Sequence, residues 1–327
     1  VVDLIDSPEA LTYIGIFDRF NWITKHNSRL TIPGDNDIKE GIEGLEKSIK
    51  TLYKYKDSRL TDVQKNTKKI AIFDYENNLK ELREFPYHDY PLNQIGGIHL
   101  NTIEFLSDMH PVRNISEAEG FIKRVNLIKE VYEGTLKDLE KQADAGIYPP
   151  EFVYEHVIEQ LDEFINFSYE EHPLFTQFMK KVNDLDITSE EMASLEEAIK
   201  SGIDESVTPG FVLLRDFMIR TQKNANKNHG IWSQPNGDEY YKLRIRTYTT
   251  TDYSPEEIHQ MGLDEVTRIS IRMKEILDML GYEKDKNVGQ LMNELNENPD
   301  FLYADTPNRK EIVVSDYTEM VDEAIVV

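Results

Sequence analysis

Residues Trp232 to Tyr282 read WSQPNGDEYYKLRIRTYTTTDYSPEEIHQMGLDEVTRISIRMKEILDMLGY and contain the pattern that decides the fold. Ser254 forms a capping-box pattern with Glu257, and Pro255 lies at the first helical position. The apolar residues after this cap recur every three or four positions, with Gly262 on the same stripe: Ile258, Val266, Ile269, Met273, Ile276 and Leu280. Gly281 follows as a residue typical of a helix end. The segment therefore predicts a long amphipathic helix.

The same signals recur along the rest of the chain. Capping-box patterns also occur at Thr61 with Gln64, Ser116 with Glu119 and Thr188 with Glu191. Together with apolar spacing they predict further helices at about 8–17, 37–56, 62–84, 96–108, 150–166, 173–184, 189–205, 208–226, 287–297 and 309–325. We therefore expect a mostly α, multi-helix fold.

Strand signals are few and short. The best strand candidates are Tyr241–Tyr248 and Ile312–Val314, so we expect at most a short hairpin near 238–250, after the Asn236-Gly237 turn. The linkers between predicted helices are short and turn-like. We expect one helical body with an N-terminal lobe at 1–170 and a second lobe at 171–327 that carries the segment rich in Tyr, Arg and Thr.

The composition limits the classes of partner. The 327 residues contain 37 Lys and Arg against 61 Asp and Glu, a formal charge of −24. This charge repels nucleic-acid phosphates and anionic membrane surfaces, so we expect no nucleic-acid partner. A solvated acidic surface accounts for the charge without any special function.

The chain contains no cysteine, which excludes disulfides, thiolate zinc sites and thiol nucleophiles. No run of about 18 apolar residues is present, so we expect no membrane-spanning segment. The first residues, VVDLIDSPEA, lack the basic and apolar regions of a signal peptide. A signal is therefore either absent or already removed.

Catalytic motifs are missing from the sequence. No two of the eight histidines lie four apart, no Gly-x-Ser-x-Gly elbow occurs and no phosphate-binding glycine loop occurs. The nearest approach to a metal site is His156 with Glu159 and Glu163 on one helix face, for which a salt-linked surface helix is the simpler interpretation. We therefore expect no catalytic residue and no metal ligand in this chain.

The segment Trp232–Tyr253 is the strongest candidate for a binding surface. It places tyrosines, two arginines and a threonine run close together: Tyr240, Tyr241, Arg244, Arg246, Tyr248, Thr249, Thr250 and Thr251. Such groups can orient a peptide or a carboxylate in a cleft. They can equally be a packed hairpin or loop whose rings lie on the helical body.

Several of these motifs, in this order, resemble the bacterial family catalogued as domain of unknown function 885. In the segment above the resemblance covers Pro235–Tyr241, Thr249–Thr251, Ser254–His259 and Gly262–Val266. Earlier in the chain it covers Leu92–Gln94, Ser116–Ile122, Gly146–Pro150, Pro173–Asp186 and Glu205–Pro209. The resemblance extends from about residue 7 to the last residue.

The resemblance implies a helical, zincin-like fold similar to the long-cleft helical carboxypeptidases, and zinc-dependent hydrolysis of peptides or amides. Relatives carry a His-Glu segment followed by Pro-Gly-His in a C-terminal half that has no counterpart here. By this resemblance the chain is an N-terminal half that is not catalytic alone, and zinc is expected in the other half. Its expected role is a wall of the substrate cleft, with Tyr240, Tyr241, Arg246 and Tyr248 binding substrate or bracing the interface between halves.

The resemblance also implies a peptide or amide substrate and a periplasmic or envelope location, because many relatives carry secretion or lipoprotein signals. A lipid anchor would then be lost with the signal, and a cytoplasmic location is the alternative. The competing hypothesis for function is a non-catalytic helical binding or scaffold module. If a C-terminal half is missing, its apolar contact surface is exposed and the chain can self-associate.

Overall fold

The computed structural model describes residues 7–15, 25–282 and 285–325, and they are predominantly helical. In chain order the helices are α1 Pro8–Ile14, α2 Asp37–Lys54, α3 Asp62–Glu84, α4 Ile98–Glu104, α5 Ile115–Asp144, α6 Glu151–Asn166, α7 Pro173–Val182, α8 Ser189–Gly202, α9 Thr208–Thr221, α10 Gly237–Thr249, α11 Pro255–Met279, α12 Val288–Glu297 and α13 Arg309–Ile325. Short π-helical turns extend α4 over Phe105–Met109 and α8 over Ile203–Val207. The predicted mostly α fold is confirmed.

The helix caps mostly agree with the sequence. Thr61, Thr188 and Ser254 each form the predicted capping box. The prediction at Ser116 is wrong, because α5 begins at Ile115 and Asn114 Oδ1 accepts the Glu117 N–H at 3.0 Å. The Glu117 carboxylate is held by the backbone N–H and side chain of Arg113, which fixes the helix start before Ser116.

Both strand candidates are wrong. Tyr241–Tyr248 lies inside α10 and Ile312–Val314 lies inside α13, and the described residues contain no β-strand. Residues 238–250, where the sequence allowed at most a short hairpin, are helical up to Thr249. A single bridge between Pro150 and Asn226 is the β-type pairing that the described residues show. Aromatic and β-branched residues favour strands on average, but packing against neighbouring helices overrides that preference here.

The main core surrounds α5, whose buried face packs against α9, the end of α8 and the 3₁₀ turn at Lys25–Ser28. α6 packs against α9, and α2 pairs with α3. The fully buried aromatic rings Phe121 and Phe178 stack with centroids 4.7 Å apart, and Phe164 stacks on Phe211 at 5.0 Å. Burial of these large rings supplies a major part of the hydrophobic stabilisation.

A buried arginine joins the N-terminal segment to α5. Arg124 has no exposed surface, and its guanidinium donates to the carbonyls of Pro8, His26 and Arg29 and to Thr12 Oγ1. A further hydrogen bond runs from Arg124 Nη1 to His110 Nδ1, 2.8 Å away. Burial lowers the pKa of Arg124 to about 10. This value is still well above neutral pH, so the guanidinium stays charged and its donors hold the N-terminal segment in place.

The chain divides into two compact units, Val1–Thr251 and Asp252–Val327. The second unit contains α11, α12 and α13, and its buried apolar side chains among the described residues are Leu277 and Leu291. The lobes expected from the sequence, 1–170 and 171–327, stay a prediction.

The predicted amphipathic stripe of α11 is largely exposed. Val266 and Leu280 are each 64% exposed, and Ile269 and Ile276 are 45% and 40% exposed. Gly281 ends the helix with φ 85°, as predicted. The second unit thus presents apolar side chains that a small domain would ordinarily bury.

Candidate functional site

The candidate site is built around α10, which begins and ends with unusual backbone geometry. Asn236 before the helix and Thr250 after it both have φ 54°, in the left-handed region, and they are the non-glycine residues with positive φ that the described part of the chain contains. Gly237, the first helical residue, is buried, and a Cβ there would lie 2.0 Å from the Ile231 carbonyl oxygen. Only glycine therefore fits where the chain turns into α10.

One face of α10 packs on α3 and the residues that follow it. Tyr240 is 5% exposed, and its ring lies 5.4 Å from Phe85 and 4.9 Å from His88. Leu243 completes a small apolar cluster with Phe85 and Tyr240. This packing holds the face of α10 that carries Tyr240 against the residues that follow α3.

Arg244 lies one turn after Tyr240 and is held on several sides. Its Nη1 lies 3.0 and 3.1 Å from the two carboxylate oxygens of Glu81 on α3, and its Nη2 donates to the Tyr248 hydroxyl at 2.9 Å. The guanidinium carbon lies 5.9 Å from the Tyr240 ring centroid and 5.0 Å from that of Tyr248. Residues at i−4 and i+4 on a helix flank the same face, so this arrangement follows from the spacing.

The four residues predicted to bind substrate do not share one face. Tyr240 is buried, whereas Tyr241 is 44% exposed and Tyr248 is 76% exposed. The Arg246 guanidinium lies over the Phe73 ring of α3, 5.1 Å from its centroid. Through Arg244 the structure brings Tyr240 and Tyr248 together, while Tyr241 and Arg246 point elsewhere. Their substrate-binding roles stay a prediction.

A cavity of about 280 Å³ lies beside the start of α10. Its walls come from α10, from residues 88–90, from Pro150 and from residues 229–234. The polar groups in these walls include His88, Asp89, Tyr90, Gln234, Tyr240 and Arg244. The first four of these were not predicted from the sequence as site residues.

Hydrogen bonds within the cavity walls fix the orientation of two side chains. His88 Nε2 lies 2.7 Å from the Pro235 carbonyl, which can only accept, so Nε2 carries the proton. Gln234 Nε2 donates to the Tyr90 hydroxyl. His88 Nδ1 and Gln234 Oε1 are buried and have no hydrogen-bond partner among the described residues. Two acceptor atoms are thus left unsatisfied beside the cavity.

The electrostatics of the cavity favour neutral tyrosines. Burial raises the pKa of Tyr90, and the hydrogen bond from Gln234 offsets part of that rise. Burial also raises the pKa of Tyr240 well above its usual value, and the carboxylates of Glu81 and Asp89 raise it further against the opposing charge of Arg244. Both hydroxyls therefore remain available as hydrogen-bonding groups at neutral pH.

Three histidines outside this cavity make hydrogen bonds within the helical body. His172 caps α7 by accepting from the Leu174 N–H at 3.2 Å, His99 Nε2 bonds Gln160 and His110 bonds Arg124. His156 is exposed, and its Nδ1 lies 3.9 Å from Glu159. Across residues 7–15, 25–282 and 285–325, no three His, Asp or Glu side chains come together in a way that could hold a metal ion.

The sequence profile of the family described as "Bacterial protein of unknown function (DUF885)" matches residues 8–326. The chain belongs to this family. A comparison of this DUF885 chain with curated proteins gives no match.

Two solved structures resemble the DUF885 chain. The "putative lipoprotein" from Colwellia psychrerythraea has a TM-score of 0.84 at 24% sequence identity, over 99% of this chain and 57% of that one. A "putative lipoprotein of unknown function" from Shewanella oneidensis has a TM-score of 0.61 at 14% identity, over 98% of this chain and 58% of that one. The likeness confirms the fold, and this chain spans less than two thirds of the length of either structure.

Within the part of the chain that the structure describes, none of the helices combines the length and the apolar character needed to cross a bilayer.

Proposed function

We propose that this DUF885 chain forms a wall of the substrate cleft in a zinc-dependent, peptidase-like hydrolase and is not catalytic by itself. The observation that carries this proposal is the cavity beside α10, where aromatic rings, hydroxyls and a held guanidinium meet. Such a concave surface with a few fixed polar groups is typical of a binding site. The zinc chemistry itself is taken from the family resemblance.

The described residues do not fit zinc. Zinc sites in hydrolases use three protein ligands drawn from His, Asp and Glu, and the described part of this chain assembles no such set. The proposal takes the metal and the general base from the further polypeptide that the family resemblance implies. The chain's own contribution is to bind and orient a peptide or amide and to exclude water from one side of the cleft.

Tyr248 tests the cleft-wall role, because its hydroxyl accepts a hydrogen bond from Arg244, which lines the cavity. In a protein extended to the length of its solved relatives, Tyr248→Ala should raise KM for peptides about threefold or more while kcat changes little. Tyr241→Ala, at a tyrosine of the same helix that does not line the cavity, tests the substrate-binding role predicted for that residue, and Tyr53→Ala on α2, at a residue that is 60% exposed, is the matched control. Unchanged KM in Tyr248→Ala would remove the proposed role.

If these side chains instead brace an interface between halves, the same variants should lower the stability of the extended protein and leave KM unaltered. Thermal unfolding of each variant, measured beside the kinetics, separates the two roles.

A second candidate function is a helical binding or scaffold module without chemistry. It is favoured by the structural use of the histidines and by the lack of any assembled metal-ligand set among the described residues. An extended protein that binds peptides tightly and leaves them intact would support this candidate over the hydrolase.

For either function we propose an envelope location, periplasmic or lipid-anchored. The support is that both solved relatives are described as putative lipoproteins. Radioactive palmitate labelling and fractionation of cells that express the complete gene test this location. Recovery of an unlabelled protein in the cytoplasm would contradict it.

A further inference from the structure

The cavity beside α10 combines features that point to the charge of its ligand. His88 and Gln234 are each 7% exposed, and each leaves one acceptor atom unpartnered among the described residues. Because the Pro235 carbonyl fixes a proton on His88 Nε2, the unpartnered Nδ1 of the neutral imidazole presents a lone pair. Buried acceptors without a donor leave a negative potential that is not compensated locally.

The charged groups around the cavity add to this negative potential. The Glu81 carboxylate balances the positive charge of Arg244 through contacts at 3.0 and 3.1 Å, so this ion pair adds little net charge to the site. Asp89 lines the cavity, and its Oδ1 accepts the Tyr90 N–H at 3.0 Å. The carboxylate of Asp89 is exposed and is thus the excess charge of the site.

Aromatic groups complete the walls. Tyr90 and Tyr240 both line the cavity. The electron-rich faces of aromatic rings attract cations, and a carboxylate beside them strengthens that preference. A carboxylate, unpartnered acceptors and tyrosine rings together suit a positively charged hydrogen-bond donor, whereas an anion would meet repulsion from Asp89.

We infer that this cavity binds a protonated primary amino group, which in a peptide ligand is the free amino terminus. Asp89 is its direct charged partner, and the buried acceptors of His88 and Gln234 contribute the surrounding negative potential. The inference rests on the proposed function only in taking the ligand to be a peptide. It names the end of the peptide that this wall recognises.

Isothermal titration calorimetry on the 327-residue chain at low ionic strength tests the inference with two probes. Trialanine amide carries a free amino group, and N-acetyl-trialanine amide lacks it but is otherwise the same. The free peptide should bind at least about tenfold more tightly, because acetylation removes a charged hydrogen-bond donor. Equal affinities, or no binding of either probe, would overturn the inference.

Two variants locate the binding. Asp89→Asn should weaken binding of trialanine amide about fivefold, as expected for loss of an exposed charge partner. Asp184→Asn, an exposed carboxylate after α7 that does not line the cavity, is the matched control and should bind as the parent does. Binding that is unaffected by Asp89→Asn would overturn the assignment to this cavity.

The test separates this inference from the proposed function. If an extended protein hydrolyses N-acetylated and free peptides equally well, the hydrolase proposal stands and the amino-terminus inference fails. If the 327-residue chain shows the amino-group preference and an extended protein cleaves nothing, the inference stands and the hydrolase proposal fails.

Discussion

Arg244 on α10 and Glu81 on α3 form a two-contact ion pair between residues 163 positions apart in the sequence. The side chains are 30% and 22% exposed, so water screens the pair only partly. The pair fixes the rotation of α10 about its axis, which in turn decides that Tyr240 faces the cavity and Tyr241 faces solvent.

Loss of this pair should loosen α10. Glu81→Gln is expected to lower the free energy of unfolding by about 1–2 kcal/mol, because a half-buried guanidinium loses its carboxylate partner. Urea unfolding followed by circular dichroism measures the change. Glu239→Gln removes an exposed Lys242 partner on the same helix and should change stability little. Equal effects of the two variants would contradict the anchoring role of Glu81.

The glycine at the start of α10 gives a steric prediction. Gly237→Ala should destabilise the protein by about 1–3 kcal/mol, because the added Cβ meets a backbone carbonyl that cannot easily move. Gly44→Ala on α2 is the matched control, since nothing lies within 4 Å of the added carbon there, and it should stabilise by about 0.5–1 kcal/mol. Thermal unfolding of both variants checks that Gly237→Ala lowers the stability and that Gly44→Ala raises it.

Stability should fall in acid because of buried histidines. Burial, with Arg124 adding to it, lowers the pKa of His110 from 6.5 to about 3, and burial lowers the pKa of His172 from 6.5 to about 4. The unfolded chain therefore binds more protons than the folded chain below pH 6.5. The stabilisation is complete above that pH and is lost as the pH falls towards each folded value, by at most about 1.4 kcal/mol per pH unit for each histidine.

His172→Asn tests this pH dependence, since asparagine keeps an acceptor at the helix cap and removes the titrating ring. Urea unfolding between pH 6.5 and 4.5 should show a shallower loss of stability with acid in this variant than in the parent. His156→Asn, at a histidine that is 57% exposed, serves as the matched control. A variant slope as steep as that of the parent would count against the role of His172.

The exposed stripe of α11 predicts self-association of the 327-residue chain. Val266 and Ile269 contribute apolar surface that an aqueous environment disfavours. Light scattering coupled to size exclusion should show a mass that rises with protein concentration, and Val266→Lys with Ile269→Lys should reduce it. Tyr53→Lys with Val63→Lys, at residues of α2 and α3 that are 60% and 76% exposed, is a control of equal charge change. A parent chain that stays monomeric at every concentration would contradict the prediction.

The sequence predicted well those features that depend on neighbouring residues. The caps at Thr61, Thr188 and Ser254 are local hydrogen-bond patterns, and the structure contains them. The error at Ser116 arose because Asn114 is an equally good cap and the Arg113–Glu117 contact favours it.

Features that depend on distant contacts could not be predicted. The strand expected at Tyr241–Tyr248 followed from the residue types, whereas the helix there is held by packing on α3 and by Glu81. The i and i+4 spacing of Tyr240, Arg244 and Tyr248 was a signal that these three residues share a helix face. Nothing local linked them to His88 or Gln234, which complete the cavity.

The central claim, that this chain is a cleft wall and the metal lies elsewhere, is tested most directly by zinc content. Purified 327-residue chain, equilibrated with zinc and then dialysed, should hold well below one zinc per chain by atomic absorption, and a protein extended to the length of the solved relatives should hold about one. One tightly held zinc in the 327-residue chain itself, accompanied by peptide hydrolysis, would contradict the claim.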